Sequence, residues 1–209
     1  MIGAGGHARV CLEALLDDGR IEVVGAVSRD GAGVEKLGIP ILGRDDDLDN
    51  IVERLSVTTF CVAIGDNVIR QQFGKMLTES GRSLTPAIST SAVLSPTCSV
   101  AAGAQILPAA VVNASTTIEE GAIVNTNATV DHDCRVGEYA HVAPGAAVGG
   151  EVTVGRCALV GIGARVLPGV SIGERAVIGS GAVVIGDVPD GVTVVGVPAR
   201  PTAGSEPGP

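Results

Sequence analysis

The chain has 209 residues, enough for one large domain or two small ones, and its formal net charge of −9 argues against nucleic acid as a partner, because phosphates attract a basic surface. No run of about 18 apolar residues indicates a membrane span, and no basic-then-apolar segment indicates a signal peptide, so we expect a cytoplasmic protein that binds no membrane. Hydrophobic residues make up 45% of the chain but aromatic residues only 1%, so Val, Ile, Leu and Ala must fill the core.

Up to about residue 86 the sequence alternates helix-like and strand-like segments. Helical spacing of apolar residues predicts helices over 7–19, 45–55 and 66–81, and apolar runs predict buried strands over 21–27 and 58–65. This alternation is typical of a small parallel sheet with helices packed on it. The chain opens at MIGAGG, which is typical of the end of a strand, so we expect that the start is misplaced or that the chain has been trimmed.

From Ile88 the sequence changes to a period of six. Every sixth residue from Ile88 to Val184 is aliphatic, and the residue four places after each of them is Ala, Cys, Thr or Val. This period predicts a parallel β-helix, in which three six-residue units make one coil and the aliphatic residues stack inside. A β-sandwich would require period-two strands and hairpin turns, which are missing. We therefore expect a substrate-binding domain at 1–86, a β-helix at 87–200 and a flexible tail at 201–209.

A glycine-rich turn lies between the first strand end and the first helix. Gly3, Gly5 and Gly6, followed by His7, fit a fingerprint that lets backbone amides and a helix N-terminus approach a pyrophosphate. Alone, this fingerprint more commonly indicates NAD, or a structural helix cap. The segment AIGDN (63–67) ends another strand, so its polar end is predicted to line the same cleft through Gly65, Asp66 and Asn67.

The segment VDHDCRVGEYAHVAPGA (130–146) contains two of the three histidines. His132 lies between Asp131 and Asp133; an imidazole with a pKa of about 6.5 suits a general base, and a neighbouring carboxylate orients it and stabilises its charged form. Asp133 is the favoured partner, with Asp131 as a competitor. His141 follows half a coil later, so the two histidines should lie on opposite sides of one column and could share a reaction only across two subunits. A solvated histidine on the outer surface is the alternative for both.

The six-residue ladder, IGAGGHARV (2–10), the histidine segment and GVPAR (196–200) together resemble the left-handed β-helix acetyltransferases, and more narrowly the nucleotide-sugar N-acetyltransferases and sialic acid O-acetyltransferases of bacterial surface-glycan pathways. The left-handedness comes from this resemblance alone. It implies a small Rossmann-like N-terminal domain that holds a UDP- or GDP-linked amino sugar. It also implies a homotrimer with acetyl-CoA between neighbouring β-helices.

The resemblance also assigns roles to residues. It implies His132 as general base, Asp133 as its partner and the Gly150 amide as oxyanion donor. It places acetyl-CoA or the acceptor near His141, Gly150, Gly161, Ile162 and Arg200. For the nucleotide sugar it implies Gly3, Gly5, Gly6, His7, Gly65, Asp66 and Asn67. Relatives tend to carry an acidic pair after the second strand where this chain has Ser28, Arg29 and Asp30; Asp30 is the predicted contact, and the identity of the base stays open.

The hypothesis is an acetyl-CoA-dependent N-acetyltransferase acting on a UDP- or GDP-linked amino sugar. An O-acetyltransferase acting on sialic acid or another sugar, and a non-catalytic hexapeptide-repeat assembly subunit, are the alternatives. A γ-class carbonic anhydrase would require three histidines on zinc, whereas this solenoid contains two, so no metal is predicted.

Overall fold

The computed structural model describes residues 1–29 and 38–203. Its N-terminal lobe contains three helices and four short strands, with a 3-10 turn at Asp45–Asp47. The helices are α1 (Gly6–Asp18), α2 (Leu48–Leu55) and α3 (Asn67–Glu79), and the strands are β1 (Ala26–Ser28), β2 (Ile41–Arg44), β3 (Thr59–Phe60) and β4 (Ser83–Leu84). All three predicted helices are present, with shifted ends.

The strands of the lobe are parallel. β1 pairs with β2, and β3 pairs with β4. Ile2 forms parallel bridges to both Val27 and Val62, so the opening residues occupy the position between β1 and β3. The strand predicted over 21–27 is paired only from Ala26. β2 was not predicted from the sequence, because its apolar run is short and is interrupted by Gly43. The glycine-rich turn therefore begins at the carboxyl end of a central strand position, as predicted.

From Ala87 the chain is a three-sided parallel β-helix, as the period of six predicts. The first face contains β5 (Ala87–Ile88), β8 (Gln105–Ile106), β11 (Ile123–Val124), β14 (His141–Val142), β17 (Leu159–Val160), β20 (Val177–Ile178), β22 (Thr193–Val195) and β23 (Arg200–Pro201). The second contains β6 (Val93–Leu94), β9 (Val111–Val112), β12 (Thr129–Val130), β15 (Ala147–Val148), β18 (Arg165–Val166) and β21 (Val183–Val184). The third contains β7 (Ser99–Val100), β10 (Thr117–Ile118), β13 (Arg135–Val136), β16 (Thr153–Val154) and β19 (Ser171–Ile172).

In the β-helix, the second residue of each strand from β5 to β21 points inward. Ile118, for example, stands between Val100 and Val136 on neighbouring coils, and the interior is a continuous aliphatic cluster with Ala and Cys at the corners. Most turns between faces place their third residue after the ladder position in the left-handed backbone region, whether or not it is glycine, as at Asp133 and Tyr139. This turn geometry sets the direction of the side chains that precede and follow it.

The N-terminal lobe packs on the first face of the β-helix. Ala8, Cys11 and Leu12 of α1 share a buried cluster with Leu107 and Ile123 of the β-helix. At the other end, β23 pairs antiparallel with β22, and the Thr202 N–H donates to the Thr193 carbonyl, so ordered pairing continues past residue 200. No helix in residues 1–29 and 38–203 is long and apolar enough to cross a membrane.

Candidate active site

His132 and Asp133 form a hydrogen-bonded pair on a turn between the second and third faces. The His132 Nδ1 atom lies 2.8 Å from Asp133 Oδ2. Asp133 has a positive φ of 57°, which turns its side chain back towards the preceding residue. Because the carboxylate accepts the Nδ1 proton, the neutral ring keeps an unprotonated Nε2 that can accept another.

Asp131 serves the same turn in a different way. Its carboxylate accepts hydrogen bonds from the His132 backbone N–H at 2.9 Å and from the Asn113 side chain at 2.9 Å. It therefore holds the backbone of the turn, while Asp133 contacts the ring. The hydrogen bond to Asp133 is the main cause that raises the pKa of His132 above its ordinary value, followed by the charge of Asp131.

Gly150 lies one coil beyond His132, directly beneath its ring. An ideal Cβ atom at Gly150 would lie 2.6 Å from His132 Cε1 and 2.7 Å from Nε2, so the glycine makes room for the imidazole. Among the backbone hydrogen bonds of the described residues, none is donated by the Gly150 N–H. The three predicted catalytic residues, His132, Asp133 and Gly150, therefore lie together at one corner of the column, on two adjacent coils.

His141 lies on the first face, at the junction with the N-terminal lobe. Its Nε2 atom is 2.9 Å from Asn125 Nδ2, and the Asn125 Oδ1 atom accepts from the Thr126 N–H, so the amide donates to the ring. Because Nε2 accepts from Asn125, the neutral ring carries its proton on Nδ1. Burial, with the charge of Arg70 as the next cause, lowers the pKa of His141 to about 3. The ring is therefore neutral and fixed in one tautomer.

His7 points from α1 into the same junction between the lobe and the β-helix. Its Nε2 atom donates to Gln105 Oε1 at 2.6 Å, and Gln105 in turn donates to the Val62 carbonyl at 2.8 Å. This chain leaves Nδ1 of His7 as the hydrogen-bond acceptor of the ring. The His7 and His141 ring centroids are 6.3 Å apart, and burial lowers the pKa of His7, so both rings are neutral at pH 7.

A cleft of about 780 Å³ opens at the carboxyl ends of the strands of the lobe. Gly3 and Gly5 line it, as predicted, together with the side chains Arg9 and Arg29. No protein atom lies within 4 Å of an ideal Cβ at Gly5, so the protein's own packing does not require glycine there, whereas a close ligand would. Gly5 is the N-cap residue of α1 and has no side chain to cap the helix, which leaves the first amides of α1 open to an anion. Gly6 opens α1 beside the Arg9 guanidinium, and Asp30 lies outside the described residues.

A second cavity, the junction groove, has a volume of about 600 Å³ and lies between the start of α3 and the first face. Gly65, Asp66 and Asn67 line this groove rather than the cleft of the glycine-rich turn, where the sequence placed them. The residues predicted for acetyl-CoA or the acceptor that line the same groove are His141, Gly161 and Ile162. Ile162 is 60% exposed, whereas an ideal Cβ at Gly161 would lie 2.5 Å from the Ile178 carbonyl oxygen, so stacking of the coils already requires this glycine.

Two of the groove residues have structural partners. The Asp66 carboxylate caps α3 by accepting from the Ile69 N–H at 2.8 Å. The Asn67 side chain donates to the carbonyls of Cys157 at 3.0 Å and Ala158 at 3.1 Å. Both side chains are therefore engaged in hydrogen bonds within the protein. They contribute to a ligand site mainly by setting the shape of the loop before α3.

Arg200 lies apart from both cavities. It is exposed in β23, and its guanidinium donates to the Ala199 carbonyl at 2.8 Å. Within the single chain, the groove on the first face and the pair at His132 also lie on different sides of the column, as the half-coil spacing predicts.

Three residues at the junction were not predicted from the sequence: Asn125, Gln105 and Arg70. Each is a polar residue at a position that the lobe and the β-helix bury only together. Gln105 could have been recognised from the sequence, because it is a polar residue on a face of the ladder that is otherwise mostly aliphatic. Its side chain is 0% exposed. Within residues 1–29 and 38–203, no three His, Cys, Asp or Glu side chains are arranged to hold a metal ion.

Comparison with known families gives two matches along the chain. Residues 1–77 match the model of the PglD N-terminal domain, and residues 151–186 match that of the bacterial transferase hexapeptide (six repeats).

Solved structures match nearly the whole chain. PerB from Caulobacter crescentus, in complex with CoA and GDP-perosamine, is 42% identical with a TM-score of 0.91, covering 97% of this chain and 95% of that one. The acetyltransferase domain of PglB from Neisseria gonorrhoeae, in complex with acetyl coenzyme A, is 34% identical with a TM-score of 0.88, covering 96% and 97%. WeeI from Acinetobacter baumannii is 27% identical with a TM-score of 0.83, covering 96% and 97%.

Proposed function

Because the chain belongs to the left-handed β-helix, hexapeptide-repeat acetyltransferases that include the nucleotide-amino-sugar N-acetyltransferases, we propose that it transfers an acetyl group from acetyl-CoA to the amine of a nucleotide-linked amino sugar. The observation that carries this proposal is the turn where His132, hydrogen-bonded to Asp133, covers Gly150. A proton acceptor and an amide donor thus stand side by side, which is what acyl transfer requires.

His132 acts as the general base. Its Nε2 atom takes the proton of the amine as the amine attacks the thioester carbonyl, and later returns it to the departing thiolate. Asp133 holds the tautomer and stabilises the imidazolium that forms between these two events. The Gly150 N–H donates to the carbonyl oxygen as negative charge develops on it.

The two cavities divide the substrates between them. The cleft with Gly3, Gly5, Arg9 and the N-terminus of α1 suits the diphosphate, because amides, guanidinium groups and a helix dipole all favour an anion there. Either GDP or UDP fits this description. His7, with Nδ1 free to accept a hydrogen bond, would meet the sugar beyond the diphosphate.

Acetyl-CoA supplies the acyl group, and the junction groove fits its long pantetheine arm. The groove is lined by exposed Ile162 and by small residues such as Gly161 and Ala143, which let an extended chain lie against the backbone. The neutral His141 forms its inner end near the acceptor domain.

The complete site requires a second copy of the chain. The groove is on the first face and the pair at His132 is between the second and third faces, so a homotrimer in which neighbouring columns face each other would join them. The second face supports this proposal, because its outward residues include Val93, Val111 and Val183, and Val93 is 61% exposed. We also propose residues 1–86 as the acceptor domain, residues 87–200 as the acetyl-transfer domain and a cytoplasmic location, where the five free cysteines would stay reduced.

The proposed function is tested by measuring thiol release from acetyl-CoA with a panel of UDP- and GDP-linked amino sugars. Release that requires an amino sugar, with the N-acetylated product identified by mass spectrometry, is the expected result. A product acetylated on oxygen would show an O-acetyltransferase, and no release with any acceptor would indicate an assembly subunit.

The raised pKa of His132 gives a prediction about pH. The base works unprotonated, so kcat/KM should rise with pH through a pKa that lies above the ordinary value of about 6.5. Asp133→Asn removes the main cause of the shift, so the rise should move to lower pH. The plateau should fall by roughly ten- to a hundredfold because the imidazolium loses its partner. An unchanged profile in Asp133→Asn, recorded from pH 5 to 9, would contradict the pairing.

A shared site gives a second prediction. His132→Ala and His141→Ala are each expected to form nearly inactive trimers. When the two variants are co-expressed, about one interface in four joins an intact His132 to an intact His141 of the neighbouring subunit. The mixed trimers should therefore recover about one quarter of the activity per site. Mixed trimers no more active than the parent variants would show that both histidines act within one subunit.

A further inference from the structure

We propose that Arg70 is a positioning residue that sets the register between the nucleotide cleft and the junction groove, so that a bound acceptor reaches the acetyl group. This inference rests on the proposed function and names the residue that couples its two halves. It concerns a side chain that touches neither cavity.

Arg70 is buried to a degree unusual for a charged residue. It is 1% exposed, and the hydrogen bonds that it donates end on carbonyl and amide oxygens rather than on carboxylates. Burial lowers its pKa to about 10, so the group is still charged at neutral pH. A buried charge whose hydrogen bonds reach no carboxylate is costly, so we infer that these hydrogen bonds serve the geometry of the junction more than net stability.

The guanidinium connects the two lobes directly. Nε donates to the Gly121 carbonyl at 2.7 Å and Nη2 to the Tyr139 carbonyl at 2.6 Å, and these two residues occupy successive coils of the β-helix. Nη1 donates to the carbonyls of Ile64 at 3.0 Å and Gly65 at 3.1 Å, in the loop before α3. One rigid planar group therefore fixes the loop against two coils at once.

A neighbouring side chain extends the same contact to a third coil. Arg70 Nη2 donates to Asn67 Oδ1 at 2.8 Å, and Asn67 donates to the carbonyls of Cys157 and Ala158. Close packing completes the arrangement, because an ideal Cβ at Gly74 of α3 would overlap the Tyr139 hydroxyl. α3 can therefore shift along the β-helix only by breaking this set of hydrogen bonds.

The loop that Arg70 holds is the wall between the two cavities. Ile64 lines the nucleotide cleft, and Gly65 and the residues after it line the junction groove. Gly65 and His141 both line the junction groove, so the loop that Arg70 holds borders His141. A displacement of this loop by about 1 Å would move the bound nucleotide relative to the acetyl group, and misplacement of that size can cost about a hundredfold in rate.

The test separates geometry from charge. Arg70→Lys keeps the positive charge but replaces the planar fork by a compact ammonium that cannot reach both lobes at once. Arg82→Lys is the matched control, because Arg82 is in the same lobe and its partner, Asp49, is an exposed carboxylate. Both variants are assayed with the nucleotide-linked amino sugar and with the free amino sugar, which does not span the two cavities.

We expect Arg70→Lys to lower kcat/KM for the nucleotide-linked acceptor by about ten- to a hundredfold. The KM for acetyl-CoA and the slow transfer to the free amino sugar should stay within about twofold of the parent enzyme, and Arg82→Lys should change nothing. Equal losses on both acceptors would show general damage to the site and overturn the proposal, as would an unchanged kcat/KM.

A second variant decides the matter if Arg70→Lys does not fold. Asn67→Ala removes the contact with the third coil and one acceptor of Arg70, whose hydrogen bonds to Gly121 and Tyr139 remain. It should give a smaller loss in the same selective pattern, and a loss without selectivity would overturn the proposal. A parent enzyme that is inactive with every nucleotide-linked amino sugar would instead refute the proposed function. The two failures are therefore distinguishable.

Discussion

Replacing His132 with alanine is expected to lower kcat by roughly 10²–10⁴-fold, which is the usual contribution of a positioned general base. The imidazole donates its Nδ1–H to Asp133, which leaves Nε2 to accept the proton of the amine, and no other titratable ring lies at this turn. His132→Asn should lose a similar factor, because the amide fills the space without accepting a proton. The measurement is single-turnover acetyl transfer with saturating substrates, which separates chemistry from product release.

The control for His132 is Arg156→Ala. Arg156 occupies the same position within an equivalent turn and is partly exposed. Its guanidinium pairs with the Glu174 carboxylate at 2.7 Å, and it lines neither the groove nor the turn of His132. We expect this variant to stay within about twofold of the parent enzyme, as surface substitutions usually do. His132→Ala should still bind acetyl-CoA and assemble normally. Retention of full turnover by an assembled His132→Ala enzyme would remove the base from the mechanism.

Gly150→Ala is expected to give the second largest loss, roughly 10²–10³-fold in kcat, with little change in stability. The backbone at Gly150 does not require a positive φ, so alanine is allowed there. The new methyl group would overlap only the end of the His132 ring, which can swing away. The imidazole would thereby leave Asp133 and the reacting amine, while the fold stays intact.

Gly186→Ala is the matched control for this substitution. Gly186 stands at the same turn position two coils further on, and no protein atom lies within 4 Å of its ideal Cβ. Thermal unfolding should be similar for both variants, and only Gly150→Ala should lose turnover and the pH dependence that His132 provides. Equal turnover in the two glycine variants would show that the space above Gly150 is not used by the base.

Much of the β-helix and one half of the site could be predicted from the sequence because both depend on local, repeated geometry. Each inward aliphatic residue follows the last by six positions, so the register of every coil is readable from residues close in the chain. The same register places Gly150 one coil beyond His132, and adjacency alone brings Asp133 to its ring.

The N-terminal lobe was less predictable. Short strands such as β2 carry too few residues for a clear pattern, and their pairing is decided by neighbours distant in sequence. The sequence suggested His7 for the phosphate or sugar, but only the fold reveals its hydrogen bond to Gln105, 98 residues away.

The sequence by itself therefore determined the architecture of the column and the turn at which His132 contacts Asp133 and Gly150, because both arise from contacts within one coil or between adjacent coils. The tertiary structure alone decided the junction between the lobes: the neutral His141, the amide of Asn125 and the buried Arg70. These residues acquire their protonation states and hydrogen-bond partners only when the two domains pack together and exclude water. The protonation states depend on burial and on nearby charges, and residues close in sequence reveal neither of them.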